Sequence, residues 1–261
     1  MTTAPKLPIN QSLDRAVRLL KILTGPYSSG LSLSEITIKT GLHHSTVIRY
    51  LNDLSALQLI KKRENTKRYT LGPLVYELGL LAQSIFDIRE LCAIPMQRLA
   101  KKHKETVYVV QRSGDDAVCI GRVDGEDSRR ILTIEPGTRR PLGVGAGGLA
   151  VLMGLSASER QAIVGNISMR LKDYLNLDPS ELQRMIRQSI ADNYALSRNR
   201  VTAGVSAVGV PIYNQTRHPF AAISIATTHS RLSDQRIKEI VSSLWQESRH
   251  ITEALECHTA A

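Results

Sequence analysis

Cysteine is scarce in this chain: Cys92, Cys119 and Cys257 are the only three in 261 residues. Thiols so few and so scattered cannot build a disulfide framework or a CxxC metal site, and reduced cysteines are the expectation. Cys257-His258 falls in what reads as a frayed tail, and the adjacent His43 and His44 would diverge from a helix start, so no metal site is expected. Long apolar runs are missing too, as is a signal-peptide pattern, so the expectation is a soluble cytoplasmic chain with no membrane partner. No HExxH motif, P-loop, Ser-His-Asp arrangement or clearly spaced carboxylate pair occurs, and Cys119 lacks a recognisable base partner. Catalysis therefore finds no footing, and no cofactor is expected. Acidic residues are the minority charge, 24 against 34 basic ones, and the net charge of +10 favours a polyanionic partner. Residues 1–87 hold 11 basic and 6 acidic groups and the remainder 23 and 18, a net +5 each, so the shorter first part has about double the density of net positive charge.

What is present is most informative between Leu33 and Leu71. Ser32-Leu33-Ser34-Glu35 has the form of a capping box, in which a hydroxyl caps a free N–H and a carboxylate reaches back. The helix it opens ends at Thr40-Gly41, where glycine permits a sharp turn. A second helix follows over Leu42–Leu54, with Val47, Tyr50, Leu51 and Leu54 at helical spacing as its buried face. The opposite face carries Ser45, Thr46, Ile48, Arg49 and Asn52. Arg49 has the fork for guanine, and Asn52 suits adenine or a phosphate. Ile48 could meet a thymine methyl or pack on the preceding helix, and both readings stand. Ile60–Arg63 and Arg68–Leu71 read as two short strands joined by the tip Glu64-Asn65-Thr66-Lys67. Lys62, Arg63, Lys67 and Arg68 would then neutralise phosphates from a wing. The whole stretch reads as a winged helix-turn-helix bound to double-stranded DNA; the bland alternative is a solvated polar helix face.

At this length there is room for two modest domains. Residues 1–10 look disordered, and Leu13, Ala16, Val17, Leu20 and Leu23 mark a first helix capped by Ser12. Gly72-Pro73 starts another, along which Leu74, Leu78, Leu81 and Ile85 form an apolar stripe fit to meet a second copy of the chain. Beyond Arg89 a helix through Met96 and Leu99 leads to β-branched runs at Thr106–Gln111, Ala117–Val123 and Ile131–Ile134. Helices are expected around Gly147–Met153, Ser158–Val164 and Pro179–Ala191, then strands near Tyr194–Ser197, Val205–Tyr213 and Phe220–Thr227, and a closing helix over 233–255. An antiparallel sheet flanked by helices is the economical arrangement, giving an α+β chain.

Gln11-Ser12-Leu13-Asp14-Arg15-Ala16, Gly41-Leu42, Ser45-Thr46-Val47 and Arg68-Tyr69-Thr70-Leu71-Gly72 resemble the isocitrate-lyase-regulator (IclR) type of bacterial transcription factor. The second half resembles it at Pro136–Leu142, Asn193–Leu196, Gly204-Val205, Val210-Pro211-Ile212 and Pro219–Ser224. Each short motif is weak alone; in this order they are specific. The resemblance implies a winged helix-turn-helix over 10–72, a linker and dimerisation helix over 73–88, and a GAF-like effector-binding domain over 89–261. A homodimer is implied, with pairing into tetramers left open, as is activation versus repression.

Gly143-Val144-Gly145-Ala146-Gly147-Gly148 matches the letters GxGxxG, so an enzyme holding a nucleotide cofactor is one rival. The dinucleotide fingerprint needs a strand before it and an acid ending a second strand, whereas Pro136-Gly137 and Pro141 interrupt the approach, and Glu159 and Asp173 sit in helical sequence. The simpler use of the loop is a helix start whose Gly145, Ala146 and Gly147 N–H groups face a small anion. The family places its effector carboxylate there. Members sensing very small oxoacids resemble one another in an acid near Ser197, a cysteine at Ala207 and serines at Ser224 and Ala226; this chain keeps only Ser224. That departure implies a roomier, less polar pocket for a small organic acid with an apolar body, an aromatic carboxylate being the leading case. Ser224 also has a plainer reading, as a sheet serine bonding its own neighbourhood. A second rival is a DNA-binding protein whose C-terminal domain only oligomerises.

Overall fold

The computed structural model describes residues 10–24, 29–83, 88–127, 134–175 and 177–259. Contacts divide the chain into two units, Met1–Phe86 and Asp87–Ala261.

The first unit packs α1 (Gln11–Ile22), α2 (Leu33–Thr40) and α3 (His44–Ala56) around Leu19, Ile36, Val47, Leu51 and Leu54. Asn10, not Ser12, caps α1: its side chain accepts the Ser12 and Leu13 N–H groups, because a cap must stand outside the helix it closes. The disorder expected for 1–10 falls, up to residue 9, outside the described residues. The capping box of α2 forms as expected, with Ser32 accepting from the Glu35 N–H and Glu35 from the Ser32 N–H. α3 begins two residues later than its pattern predicts, since His43 is extended and Gly41 is left-handed at φ 64°. It ends with Gln58 in the left-handed region, while the Gln58 and Leu59 N–H groups return to the Ser55 and Leu54 carbonyls. Strands β1 (Ile60–Lys62) and β2 (Tyr69–Leu71) pair antiparallel, Ile60 opposite Leu71. Leu31 adds a bridge to Tyr69 that no periodicity announces, because one residue carries no pattern. Helix α4 (Pro73–Gln83) follows; Ile85 of the expected stripe lies outside the described residues.

The second unit is a six-stranded antiparallel sheet with helices on both faces. It runs α5 (Ile88–His103), β3 (Thr106–Ser113), β4 (Asp116–Val123), β5 (Arg139–Pro141), α6 (Gly145–Gly154), α7 (Ala157–Ile167) and α8 (Pro179–Asp192). Strands β6 (Ala195–Arg198), β7 (Val205–Tyr213) and β8 (Pro219–Thr228) follow, then α9 (Asp234–Thr259). The sheet order is β5-β4-β3-β8-β7-β6. Strand alternation sorts the core. Val107, Val109, Val208, Val210, Ile223 and Ile225 pack under α5 and α9. Tyr108, Val110, Cys119, Ala222 and Ala226 pack with α6, α7 and α8. Because both faces are covered, β7 and β8 are nearly continuously apolar.

Two expectations shift here. Of the strand expected at Ile131–Ile134, residues 131–133 lie outside the described residues, and Ile134 is not in a strand. Strand β5 pairs with β4 through Arg140 opposite Ala117, although Pro136, Gly137 and Pro141 read as interruptions. An edge strand of three residues tolerates a proline at its end, where no partner is needed on one side.

Candidate functional site

On α3 the side chains separate as the spacing requires. Val47, Tyr50, Leu51 and Leu54 are buried, Ser45, Ile48, Arg49 and Asn52 are exposed, and Thr46 is half-buried. Ile48 is 36% exposed, which leaves both its methyl-contact and its packing reading open. Ser45 Oγ lies 2.8 Å from His43 Nδ1, so the first turn carries a hydroxyl already oriented by an imidazole. The Arg49 guanidinium stands 5.5 Å from the Tyr50 ring centroid, an attraction compatible with leaving its N–H fork outward.

The wing tip turns because the Arg63 N–H donates to the Arg68 carbonyl and the Lys67 N–H to the Arg63 carbonyl, with Lys67 left-handed at φ 51°. Lys62, Arg63 and Lys67 are exposed along it, Lys62 Nζ standing 5.6 Å from the Tyr69 ring. Arg68 has a different task from the phosphate contact expected of it. Its Nε donates to the Gly30 carbonyl at 2.9 Å, and its Nη2 reaches the Glu35 carboxylate at 2.8 Å. The Ser32 N–H and hydroxyl, then Arg68, hold the Glu35 pKa down at about 2, against an ordinary 4.5. Sequence spacing cannot announce such a bond, since it joins residues 33 apart.

The second unit contains a cleft on the α6 face of the sheet, with about 610 Å³ of empty space, its open mouth included. All seven residues expected at the effector line it: Gly145, Ala146, Gly147, Ser197, Ala207, Ser224 and Ala226. Register explains the convergence. Ser197 stands opposite Ala207, Ala207 opposite Ala226, and Ser224 lies between Gly209 and Tyr108. Helix α6 starts at Gly145, two residues earlier than expected, and no side chain caps it. Its first N–H groups therefore lack partners from the helix. Close approach of the helix to the sheet requires glycine: a Cβ at Gly147 would lie 2.9 Å from Val110 Cγ2, and one at Gly209 2.8 Å from the Ala146 carbonyl oxygen. The Ser224 side chain is buried, its hydroxyl bonds no side chain or carbonyl among the described residues, and its Oγ lies 3.5 Å from that Gly147 position.

The same cleft is lined by residues the sequence did not single out as pocket groups, chiefly Tyr108, Cys119, Thr138, Arg140 and Thr202. Burial pushes the Cys119 thiol up to about 11, so it is protonated at neutral pH. Burial lowers the pKa of Arg140, yet a guanidinium stays charged in proteins. Arg140 lies within the Pro136–Leu142 motif, and the β4–β5 pairing turns it to this face. The Gly143–Gly148 loop follows a short antiparallel edge strand, so the strand-before-loop setting of a dinucleotide site is not the one found. Among the described residues no cluster of His, Cys, Asp and Glu could hold a metal ion, and no helix is long and apolar enough to cross a membrane.

Comparison with known proteins gives matches over both units. The IclR helix-turn-helix domain family matches residues 12–64, and the bacterial transcriptional regulator IclR C-terminal family matches residues 81–253. The transcriptional regulator KipR of Bacillus subtilis is 27% identical over 229 residues, 87% of this chain and 90% of that protein. The transcriptional repressor AllR of Escherichia coli is 26% identical over 246 residues, 94% and 90% of the two chains. Among solved structures, the Thermotoga maritima IclR protein superposes with a TM-score of 0.64 at 24% identity, covering 94% of this chain and 98% of its own. An IclR homolog of Microbacterium hydrocarbonoxydans, solved with 4-hydroxybenzoate, gives a TM-score of 0.69 at 18% identity, covering 94% and 99%. These two structures share the fold.

Proposed function

The chain belongs to the IclR family of bacterial transcriptional regulators, and we propose that it is a cytoplasmic homodimeric regulator of a catabolic pathway, switched by a small organic acid with an apolar body. An operator-DNA-binding helix-turn-helix module and a C-terminal effector module are what the family supplies; the curated relatives named above are regulators, not enzymes. In this reading Arg49 and Asn52 meet base edges, Ser45 and Thr46 hold phosphates, Ile48 offers a methyl contact, and Lys62, Arg63 and Lys67 neutralise the backbone beside them. Arg68 braces the wing from behind through Glu35. The span 10–72 is the reader, 73–88 the linker and 89–261 the effector domain.

One observation carries the effector half: the uncapped start of α6, the unpartnered Ser224 hydroxyl and the small side chains of Ala207 and Ala226 face one cleft. The helix start suits a carboxylate and the alanines leave room for a ring. Burying that ring supplies affinity at roughly 25 cal/mol per Å² before ordering costs. A two-carbon oxoacid has little such surface, and among the described residues no carboxylate or ionised thiol lines the cleft to hold it. The Microbacterium homolog, solved in complex with 4-hydroxybenzoate, supports the aromatic-acid reading.

A thermal-shift panel of benzoates, hydroxybenzoates, aliphatic acids, glyoxylate and pyruvate tests the reading, since a ligand that binds the folded state raises Tm as its concentration exceeds Kd. Aromatic acids are expected to give the largest shifts. A best response to glyoxylate or pyruvate would refute the pocket assignment.

A further inference from the structure

The adjacent histidines at the start of α3 belong to no metal site among the described residues, yet one of them is tied to the reading face. His43 is the extended residue just before the helix, and its side chain caps no N–H group. Its imidazole is exposed instead, and Nδ1 shares a 2.8 Å hydrogen bond with the Ser45 hydroxyl in the first turn. An imidazole so placed has distinct hydrogen-bonding states. A neutral ring with its proton on Nε2 accepts the Ser45 O–H, which leaves that hydroxyl only lone pairs to present to a phosphate. A protonated ring donates from Nδ1 to Ser45 Oγ, which frees the hydroxyl proton and adds a positive charge beside it. Imidazole is the side chain that changes charge between about pH 5 and 8. The elements packed around α3 carry three acids: Asp14 on α1, Glu35 on α2 and Asp53 on α3 itself. Asp14 is paired with Arg18, Glu35 is bonded to Ser32 and Arg68, and Asp53 lies about 15 Å along the helix from His43. The other charged or titratable groups there are basic: Arg15 on α1, Lys39 on α2, His44 and Arg49 on α3, and Lys61 and Lys62 on β1. A DNA phosphate is thus the anion that suits a charged His43.

We propose that His43 is a further DNA-binding residue, gated by its own protonation: the imidazolium holds Ser45 Oγ, the freed Ser45 proton goes to a phosphate oxygen, and operator affinity rises as pH falls. This rests on the assignment of α3 as the DNA-reading helix and adds a residue to it. The sign follows from linkage. A phosphate favours the charged ring, so DNA binding takes up a proton, and the gain is present at low pH and lost as pH rises. The unpaired N–H groups of the first turn of α3 favour an anion at the same end of the helix.

The test is fluorescence anisotropy of the full-length protein on a duplex that wild type has selected from a random pool. Wild type, His43→Gln and Ser45→Ala are titrated at pH 6, 7 and 8 over a range of salt concentrations. Wild type should bind about tenfold more tightly at pH 6 than at pH 8. Its salt slope should steepen by about 0.9 over that range, the increment of one neutralised phosphate. His43→Gln should match wild type at pH 8 and gain nothing at pH 6, a profile that a misfolded variant would not give. Ser45→Ala should lose more affinity at pH 6 than at pH 8. Equal pH profiles and salt slopes for wild type and His43→Gln overturn the gated contact while leaving α3 as the reader. Unchanged affinity of Ser45→Ala at every pH overturns the gate and the phosphate role of Ser45 together. A wild-type protein that selects no duplex overturns the reader itself.

Discussion

Glu35 accepts the Ser32 N–H at 2.7 Å and the Arg68 guanidinium at 2.8 Å, so one carboxylate joins the start of α2 to the second wing strand. These bonds favour the ionised form, and the folded pKa of about 2 lies below the ordinary 4.5. A depressed carboxyl contributes stability that is fully present above its unfolded pKa and lost as pH falls through the folded one. Replacing it by Glu35→Gln should thus lower the urea midpoint of wild type most at pH 6, and the difference should shrink steadily between pH 4.5 and 2. A difference between the two proteins that stays constant over that range would show that the carboxylate charge is not what matters. Arg68, read from the sequence as a phosphate ligand, illustrates a limit of the residue scale: a basic residue beside a wing tip has the same letters whether it faces DNA or an internal acid.

At the scale of elements, α3 was legible because its apolar positions recur at the helical period, and the polar face follows by subtraction. Arg49 is the residue of that face with a fork suited to guanine. Arg49→Ala should weaken operator binding by about 1–3 kcal/mol and relax one base preference. Gel-shift titrations on matched and scrambled operators check it, and equal operator affinity of the two proteins would remove Arg49 from base readout. The strands β7 and β8 were legible as long, largely apolar runs, with their ends within a residue of the pattern. Strand β5 and the Leu31 bridge were not, since three residues and one residue carry no period. The cleft divides in the same way. Its glycines, alanines and Ser224 could be placed from motif positions, whereas Tyr108 and Arg140 enter it through strand register, which pairs residues far apart in sequence and is set only when the sheet forms.

For the molecule as a whole, the unresolved requirement of a two-half-site reader is a second copy. Helix α4 leaves Leu78 53% and Leu81 77% exposed, with Tyr76 and Leu80 exposed on the same helix, apolar surface of the kind that marks a protein–protein contact. Charging it by Leu78→Glu should yield monomers in light scattering and cut operator affinity sharply, because two linked half-sites bind far better than one. An unaltered dimer with unaltered affinity would move the interface elsewhere. Regulation then requires that the ligand favour one arrangement of the readers over the other, since only differential affinity can shift their balance. The most direct measurement is operator affinity, by fluorescence anisotropy, with and without the aromatic acid that gives the largest thermal shift, on wild type and Ala207→Phe. Ala207 lies in the cleft opposite Ala226, and a ring there fills the space meant for the ligand. The ligand should change the affinity of wild type several-fold, about 1–3 kcal/mol of coupling, while Ala207→Phe binds operator like ligand-free wild type and does not respond. A variant that still responds, or a ligand that binds wild type without moving its operator affinity, would contradict the account.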